Sequence, residues 1–286
     1  TRIYPVRIMI WHEIVNDVVD GTPITVTYCP LCNSAIAYLR TVDDRVFDFG
    51  TSGHLYRSGL VMYDRQTESL WTHFDGLAVV GSAMGTQLER LPVATVSWAQ
   101  AAAAHPGATV LRGDPDDPKP YGTNRYTGYD QADEPLPGWF TIEIPEPVPP
   151  MTRVVGVRTG AGELAIPTDL VAERRVVTTA IGDQEFVVVH EPGLASPLQR
   201  SDIAAGDDIG STGVFATIVD GRRLTFTERA GVVTDLETRS VWNIRGRAIV
   251  GPLVGTELTE LEHLDTFWFA WVANHPETTV VVPAQS

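Results

Sequence analysis

The chain has 286 residues, of which 43% are hydrophobic and 20% are charged, a composition that supports one large domain or two ordinary ones. The formal net charge of −15 argues against a nucleic-acid partner, because contacts with phosphates require clustered Lys and Arg side chains. No stretch approaches the roughly 18 consecutive apolar residues that a membrane-spanning helix needs.

Strand signals dominate the first part of the chain. Short segments rich in β-branched or aromatic residues, each bounded by Gly, Asp or Asn, predict strands at 24–28, 34–39, 45–49 and 60–63. The dipeptide Asp20-Gly21 is typical of a hairpin turn. A helix is predicted over 96–104, capped by Thr95 and stopped before a His-Pro pair.

A proline-rich linker follows. Residues 113–150 hold nine of the 20 prolines, which predicts an extended connector rather than a helix or a central strand. Four aromatic residues in this linker indicate that it packs against the rest of the protein: Tyr121, Tyr126, Tyr129 and Trp139.

The last part of the chain repeats the strand pattern of the first. Strands are predicted at 175–179, 185–190 and 223–227. Gly182-Asp183 predicts a hairpin turn, and Asp265-Thr266 is expected to cap a helix over 267–274, again before a His-Pro pair.

This likeness reflects an internal repeat. The frame D-x-x-T-x-S-x-W runs from Asp64 to Trp71 and again from Asp235 to Trp242, at an offset of 171. After one deleted residue the identities continue at an offset of 170, and they include Gly76, Gly81, Gly85, Leu88, Leu91, Trp98, His105 and Thr109. Earlier residues align more weakly at an offset of 162.

The sequence therefore predicts a mainly β fold with a minor α contribution, built from two tandem homologous β-rich modules. We expect module A to span 1–112, the linker 113–150 and module B 151–286. Each module is predicted to contain one short helix, and the two modules are predicted to pack about a pseudo-twofold axis.

Residues kept in both copies are candidates for holding the shared fold. Trp71, Asp64 and His105 belong to this class, since each has an identical counterpart in module B. We expect His105 to lie at a helix C-terminus, where its ring bonds free carbonyl groups.

Residues present in module A alone are candidates for a site. Four residues of metal-ligating types have no counterpart in module B: His12 faces Arg174, Cys29 faces Glu191, Cys32 faces Leu194 and Met62 faces Val233. Because these residues are absent together, we predict that they serve one function together, and that module B is a degenerate copy without metal ligands.

The pair Cys29 and Cys32 lies in a Cys-Pro-Leu-Cys turn between two predicted strands. Two thiolates at this spacing converge in metal-binding knuckles, and Asn33 tolerates the positive φ that often follows the second Cys. A thioredoxin-type redox pair would instead begin a helix. Metal binding is the favoured hypothesis, with a thiol–disulfide pair and a purely structural pair as alternatives.

Two sulfurs do not complete a metal site. His12 is the predicted third ligand and Met62 the predicted fourth, with His54, His73 or water behind it. Copper, as Cu(I), is preferred for a set of two Cys, one His and one Met, whereas a site with an open position would suit zinc equally well. Polar side chains that follow His12 could orient its ring: Glu13, Asn16 and Asp17.

Five stretches occur together in a distinctive order: HEIVND at 12–17, TYCPLC at 27–32, SGHLY at 52–56, LVMYDR at 60–65 and YGTNRYTGY at 121–129. They resemble the bacterial family DUF3179, and the likeness covers nearly the whole chain. Because the family is one of unknown function, the resemblance implies no activity. Many members look exported or lipid-anchored, so we expect an extracytoplasmic protein whose N-terminal signal has been removed. The family usually has Gly at the position of Asn33 and Asn at that of Arg57, which puts a role of the latter side chain in doubt.

Three hypotheses for function follow. The first is a metal-binding protein, copper preferred, whose catalytic form would be a copper-dependent oxidoreductase with Tyr56, Asp64 and Arg65 near the substrate. The second is a thiol–disulfide oxidoreductase that uses Cys29 and Cys32. The third is a non-catalytic β interaction module. The expected partner is a metal or small molecule, and the sequence does not indicate a particular protein partner.

Overall fold

The computed structural model describes residues 1–136 and 143–282, so Trp139 of the linker lies outside the described residues. The fold is mainly β, as predicted, and the described residues contain four α-helices of seven residues each.

The first half begins with a two-residue strand and a short helix, and most of its strands then follow. The elements of residues 1–112 are β1 (Arg2–Ile3), α1 (Val6–His12), β2 (Ile14–Val19), β3 (Thr22–Cys29), β4 (Ser34–Leu39), β5 (Thr41–Val42), β6 (Arg45–Val46), β7 (Phe49–Tyr56), β8 (Gly59–Asp64), β9 (Leu70–Thr72), β10 (Ala78–Val80), β11 (Arg90–Leu91), α2 (Trp98–Ala104) and β12 (Thr109–Val110).

The linker lies against the first half. It contains a short 3-10 helix, Tyr129–Gln131, and the carbonyl oxygens of Tyr121 and Thr123 accept hydrogen bonds from Arg7 and Trp11 of α1. Tyr129 is buried, so this linker aromatic packs down as expected.

The second half contains thirteen strands and two α-helices among its described residues, together with a short 3-10 helix, Ile203–Ala205. They are β13 (Arg153–Thr159), β14 (Gly162–Pro167), α3 (Thr168–Arg174), β15 (Val176–Ile181), β16 (Gln184–Glu191), β17 (Ser211–Ala216), β18 (Ile218–Val219), β19 (Arg222–Arg223), β20 (Phe226–Arg229), β21 (Val232–Asp235), β22 (Val241–Trp242), β23 (Ala248–Val250), β24 (His263–Phe267), α4 (Trp268–Asn274) and β25 (Thr279–Val280).

Five sheets of three or four strands carry most of the described fold. In the first half the strand orders are β11-β4-β3-β2 and β10-β9-β8-β7. In the second half they are β24-β13-β14-β25, β15-β16-β17 and β20-β21-β22-β23. The largest hydrophobic cluster combines first-half strands with β24 and α4 of the second half, so the two halves share a core.

Several pairings recur in both halves. The antiparallel hairpins β2–β3 and β15–β16 turn at Asp20-Gly21 and Gly182-Asp183, as predicted. The parallel pair β1–β12 has its counterpart in β14–β25, and both are short. Packing of the halves about a pseudo-twofold axis stays a prediction.

The prediction of one helix per module was wrong. Helices α1 and α3 were missed, because seven residues span only about two turns and leave little 3.6-residue periodicity to detect. The predicted strands at 45–49 and 223–227 are also interrupted. Residues 47–48 separate β6 from β7, and residues 224–225 separate β19 from β20.

The helices before the His-Pro pairs begin later than predicted. Ser97, not Thr95, caps α2: its hydroxyl accepts from Gln100 N, while the Gln100 side chain bonds the Ser97 N–H in a capping box. In α4 no side chain caps the start, because Thr266 donates to the carbonyl of Cys32 instead. Both helices end as predicted, at the residue before the His-Pro pair, Ala104 and Asn274.

The ring of His105 does not bond helix carbonyls among the described residues, contrary to the prediction. His105 does occupy the C-cap of α2, and burial lowers its pKa. Its counterpart His275 bonds Glu163 through Nδ1 at 2.7 Å and stacks on Trp271, with ring centroids 3.9 Å apart. The contacts of His275 are structural, and a structural role for His105 stays a prediction.

The repeated D-x-x-T-x-S-x-W frame forms a buried clip. In the first half Trp71 Nε1 donates to Asp64 Oδ2 at 2.9 Å, and Thr67 Oγ1 donates to the same oxygen at 2.6 Å. The same two bonds join Trp242 and Thr238 to Asp235, at 3.0 and 2.8 Å. The frame recurs because each turn must satisfy a buried carboxylate and a buried indole N–H.

Gly81 packs against the same turn. Its φ is 98°, and a Cβ at this position would lie 2.7 Å from the Cα of Ser69. Gly251, with a φ of 100°, would meet the Cα of Ser240 at 2.8 Å. Both glycines are therefore required by positive φ and by close contact with the clip.

We expect Asp64→Ala to lower the free energy of unfolding by about 2–4 kcal/mol, because the buried Trp71 N–H and the Thr67 groups lose their charged acceptor. Equilibrium urea unfolding near neutral pH measures this loss. Asp235→Ala is the matched variant and should cost a similar amount. A loss below about 1 kcal/mol for both variants would show that the clip contributes little.

Candidate functional site

The Cys-Pro-Leu-Cys turn joins β3 to β4, so the predicted strand–turn–strand arrangement is confirmed. Cys29 ends β3 and pairs across the sheet with Ser34, the first residue of β4. The turn is closed by a hydrogen bond from Asn33 N to Pro30 O at 3.2 Å. Asn33 has a φ of 53°, the positive value expected after the second Cys.

Both thiols are free and buried. Cys29 is 2% exposed and Cys32 is 0% exposed, and the two side chains are within hydrogen-bond contact. Cys32 Sγ also donates to Ser58 O at 2.9 Å. Burial, with the neighbouring Cys29 thiol second, raises the pKa of Cys32 well above its usual value. The pair thus differs from the exposed, low-pKa thiolate of a thioredoxin-type centre.

The turn is held from two distant parts of the chain. Tyr129 of the linker donates its hydroxyl to Leu31 O at 3.1 Å. From the second half, Thr266 Oγ1 and Phe267 N both donate to Cys32 O, at 2.8 and 3.1 Å. The backbone between the two thiols is therefore fixed by the linker and by the start of α4.

Beside the thiols, His73 bridges two strands. Its Nε2 lies 2.8 Å from Ser34 Oγ and its Nδ1 lies 2.9 Å from Thr27 Oγ1. Ser34 in turn contacts the Cys32 thiol. Burial lowers the pKa of His73 to about 3, so the ring is neutral. The histidine nearest this network is thus His73, which sequence reasoning ranked behind Met62.

A signal for His73 was present in the sequence. The clip frame places Ile244 opposite it at an offset of 171, so His73, like the two cysteines, belongs to the first half alone. Its contact with Ser34 was not detectable, because it depends on how the sheet of β3 and β4 packs on that of β8 and β9.

His12 points toward the linker. As the last residue of α1, it places Nε2 2.6 Å from the Tyr121 hydroxyl and 3.5 Å from Asp117 Oδ2. Burial and the Lys119 ammonium lower its pKa, although Asp117 opposes them. The groups that orient the His12 ring therefore come from the linker.

The predicted supporting residues of His12 make other contacts. Asn16 bonds both backbone groups of Phe49, and Asp17 accepts from Tyr4 and pairs with Arg2. The Glu13 carboxyl contacts Tyr126 and is largely buried, which raises its pKa. The expectation that these side chains orient His12 was wrong.

Met62 is 0% exposed and belongs to the same hydrophobic cluster as both cysteines. It lies two residues after Leu60 on β8, and the Leu60 backbone bonds the Cys32 sulfur. Alternate residues of a strand share a face and are about 7 Å apart. Met62 therefore lies in the buried cluster that contains both thiols, two residues along β8 from a residue whose backbone interacts with Cys32.

The remaining candidate residues are dispersed. Asp64 is engaged by Trp71 and Thr67 in the clip, and these bonds outweigh the effect of burial and lower its pKa. Tyr56 is 43% exposed at the end of β7, Arg65 lies over the Tyr63 ring, and His54 is exposed. The contacts of the described residues do not bring Tyr56, Asp64 and Arg65 together.

At Arg57, where the family resemblance led to an expectation of Asn, the residue has a backbone role. Arg57 and Ser58 have φ values of 45° and 67°, as in a type I′ hairpin turn, where Asn is favoured. The Arg57 carbonyl accepts from Asn274 of α4, and its guanidinium lies over the Tyr56 ring. The turn therefore forms with Arg in place of Asn.

Across residues 1–136 and 143–282, no three His, Cys, Asp or Glu side chains converge in a way that could hold a metal ion. This absence concerns His, Cys, Asp and Glu side chains only. It therefore does not bear on a site made of two Cys thiolates and one Met thioether. In the described part of the chain, no helix has the length and apolar character to span a bilayer.

Comparison with models of known families identifies the family of this chain. A family model described as "Protein of unknown function (DUF3179)" matches residues 1–278. No curated protein and no solved structure matches the chain.

The buried neutral ring of His73 predicts a dependence of stability on pH. Between about pH 6.5 and pH 3 the unfolded chain binds a proton at His73 and the folded chain does not, so stability falls as pH drops through this window. We expect His73→Gln to weaken this dependence, as measured by urea unfolding at a series of pH values. The exposed His54→Gln variant is the control. An unchanged pH profile for His73→Gln would contradict the assignment.

Proposed function

The chain belongs to the DUF3179 family, and from this premise we propose that it binds one soft metal ion, Cu(I), through the thiolates of Cys29 and Cys32. Met62 is the proposed third ligand. The observation that carries the proposal is the pair of free thiols, in contact with each other and buried on a turn held by hydrogen bonds from distant parts of the chain.

The ligand types favour copper over zinc. Thiolate and thioether sulfurs are soft ligands that select Cu(I), whereas structural zinc sites are almost always four-coordinate and draw on Cys, His or carboxylate groups. No third group of those types joins Cys29 and Cys32 among the described residues. In this proposal His12 holds the linker through Tyr121 and is not a ligand.

The burial of the thiols argues against a thiol–disulfide oxidoreductase. Exchange requires a thiolate to reach the sulfur of a substrate in line, and thiols that are 2% and 0% exposed offer no such approach. The engagement of Asp64 in the clip likewise favours a binding or carrier role over a copper-dependent oxidoreductase. We propose that this role is carried out outside the cytoplasm, as in related proteins that look exported.

Anaerobic titration with Cu(I) in the presence of a chromogenic competitor tests the proposal. We expect one Cu(I) per chain, and no stoichiometric binding by the Cys29→Ser, Cys32→Ser double variant. Met62→Leu should weaken binding about tenfold or more, which corresponds to about 1.4 kcal/mol. Zn(II) should bind far more weakly than Cu(I).

Two variants serve as controls for the ligand assignment. Met151→Leu removes another buried thioether and should leave the affinity for Cu(I) unchanged. His12→Gln should also leave it unchanged, because His12 contacts the linker. Wild-type protein that binds no Cu(I) but forms a reversible Cys29–Cys32 disulfide would overturn the proposal in favour of redox chemistry.

A further inference from the structure

A large apolar cleft lies on the face of the sheet β11-β4-β3-β2 that carries Ile24 and Val26. Its volume is about 1250 Å³, and its floor includes Ile24, Val26, Ala35 and Ala37. The sulfur ligands proposed above do not line it. The cleft is therefore separate from the proposed copper site.

The corresponding face in the second half is filled. On β16 and β17, Val188 pairs with Val214, just as Val26 pairs with Ala37 on β3 and β4. Val188 and Val214 pack in one cluster with Val155 and Val157 of β13. Strand β13 therefore covers in the second half the surface that lines the cleft in the first.

The edges of the cleft are strand edges. In the second half β14 pairs with β25 on one side and with β13 on the other. Its counterpart β1 pairs with β12 in the same register, with Ile3 opposite Val110 where Ala165 is opposite Val280. Among the described residues no strand pairs with the other edge of β1, so that edge faces the cleft.

The opposite edge is also unpaired. Strand β24 completes the second-half sheet by pairing with β13, with Asp265 opposite Val155. At the repeat offset of 170, the counterpart of β24 is the segment 93–97, which belongs to no strand and lines the cleft. In the second half, β13 lies between β14 and β24, the counterparts of these two edges. In the first half the cleft occupies the place of β13.

Room for side chains is also greater in the first half. The ring of Trp271 in α4 lies so close to Gly156 of β13 that a Cβ there would collide with it. At the same offset Trp271 corresponds to Ala101 of α2, which lines the cleft. A strand in the cleft would therefore not need Gly at its centre.

We propose that the cleft accepts one extended β-strand from outside the described residues, antiparallel to β1 and to the segment 93–97. The strand resembles β13 in length and in side chains. It has about seven residues and is about 23 Å long, and its β-branched apolar side chains at alternate positions face the floor. Its backbone satisfies the free N–H and C=O groups of both edges, and its side chains cover the apolar floor. The cleft would then be a β-strand acceptor site.

A peptide with the sequence of β13, RVVGVRT, tests the proposal against the whole chain. We expect saturable one-to-one binding by fluorescence anisotropy, with slowed amide exchange confined to residues 2–4 and 93–97. The control peptide RVDGDRT places Asp at the two inward positions and should not bind. Ala37→Trp, which fills the floor, should weaken binding at least tenfold, whereas Val250→Trp at an exposed site should not.

Tethering gives a second measurement that does not depend on the affinity of a free peptide. The same heptapeptide is joined to Thr1 through Gly-Ala-Gly, because Gly160-Ala161-Gly162 precedes Glu163, the counterpart of Thr1; this keeps the central Gly opposite Ile3 and raises the effective concentration of the strand. The tethered strand should protect the same two edges and raise the thermal midpoint by about 4 °C or more. Absence of protection at both edges in the tethered chain would overturn the proposal. A second result would also overturn the proposal: a dimer, detected by light scattering, that persists when the strand is tethered. A second copy of the chain would then occupy the cleft.

Discussion

The carbonyl oxygen of Cys32 accepts hydrogen bonds from Thr266 and Phe267, residues more than 230 positions away in the chain. Because these bonds form where β24 passes into α4, the second half fixes the conformation of a turn in the first. The linker adds a third constraint through Tyr129, whose hydroxyl bonds the carbonyl between the two cysteines. The geometry of the thiols therefore depends on the whole chain, and the first half alone would not be expected to preserve it.

This dependence gives the second half a role although it lacks the soft ligands. Its strand β24 and helix α4 pack into the core that contains Cys29, Cys32 and Met62. Trp268 and Trp271 are almost completely buried there. The second half thus excludes water from the two thiols although it contains no cysteine of its own, and the low polarity around them favours the neutral thiol form.

Local features of the fold were predictable from the sequence. The turns at Asp20-Gly21 and Gly182-Asp183 and the strand-turn-strand around the cysteines follow from residue types that act over a few positions. Helix α1 was not predictable, because its seven residues include β-branched and aromatic side chains with little helical preference. The start of α4 was misassigned for a tertiary reason, because Thr266 donates to the Cys32 carbonyl rather than capping its own helix. The cap of α2 was misassigned although its Ser97–Gln100 capping box is a local signal.

Which of the selected residues lie in one buried cluster could be anticipated in part from the sequence, but their contacts could not. Comparison of the two copies selected Cys29, Cys32 and Met62, which share one buried cluster, yet it also selected His12, whose partner Tyr121 lies 109 residues away. The central claim is that Cu(I) is held by sulfur alone, and X-ray absorption at the copper edge of the loaded protein tests it most directly. The account predicts a spectrum described by sulfur neighbours only. Scattering from a histidine ring, or a copper environment unchanged by Met62→Leu, would contradict it.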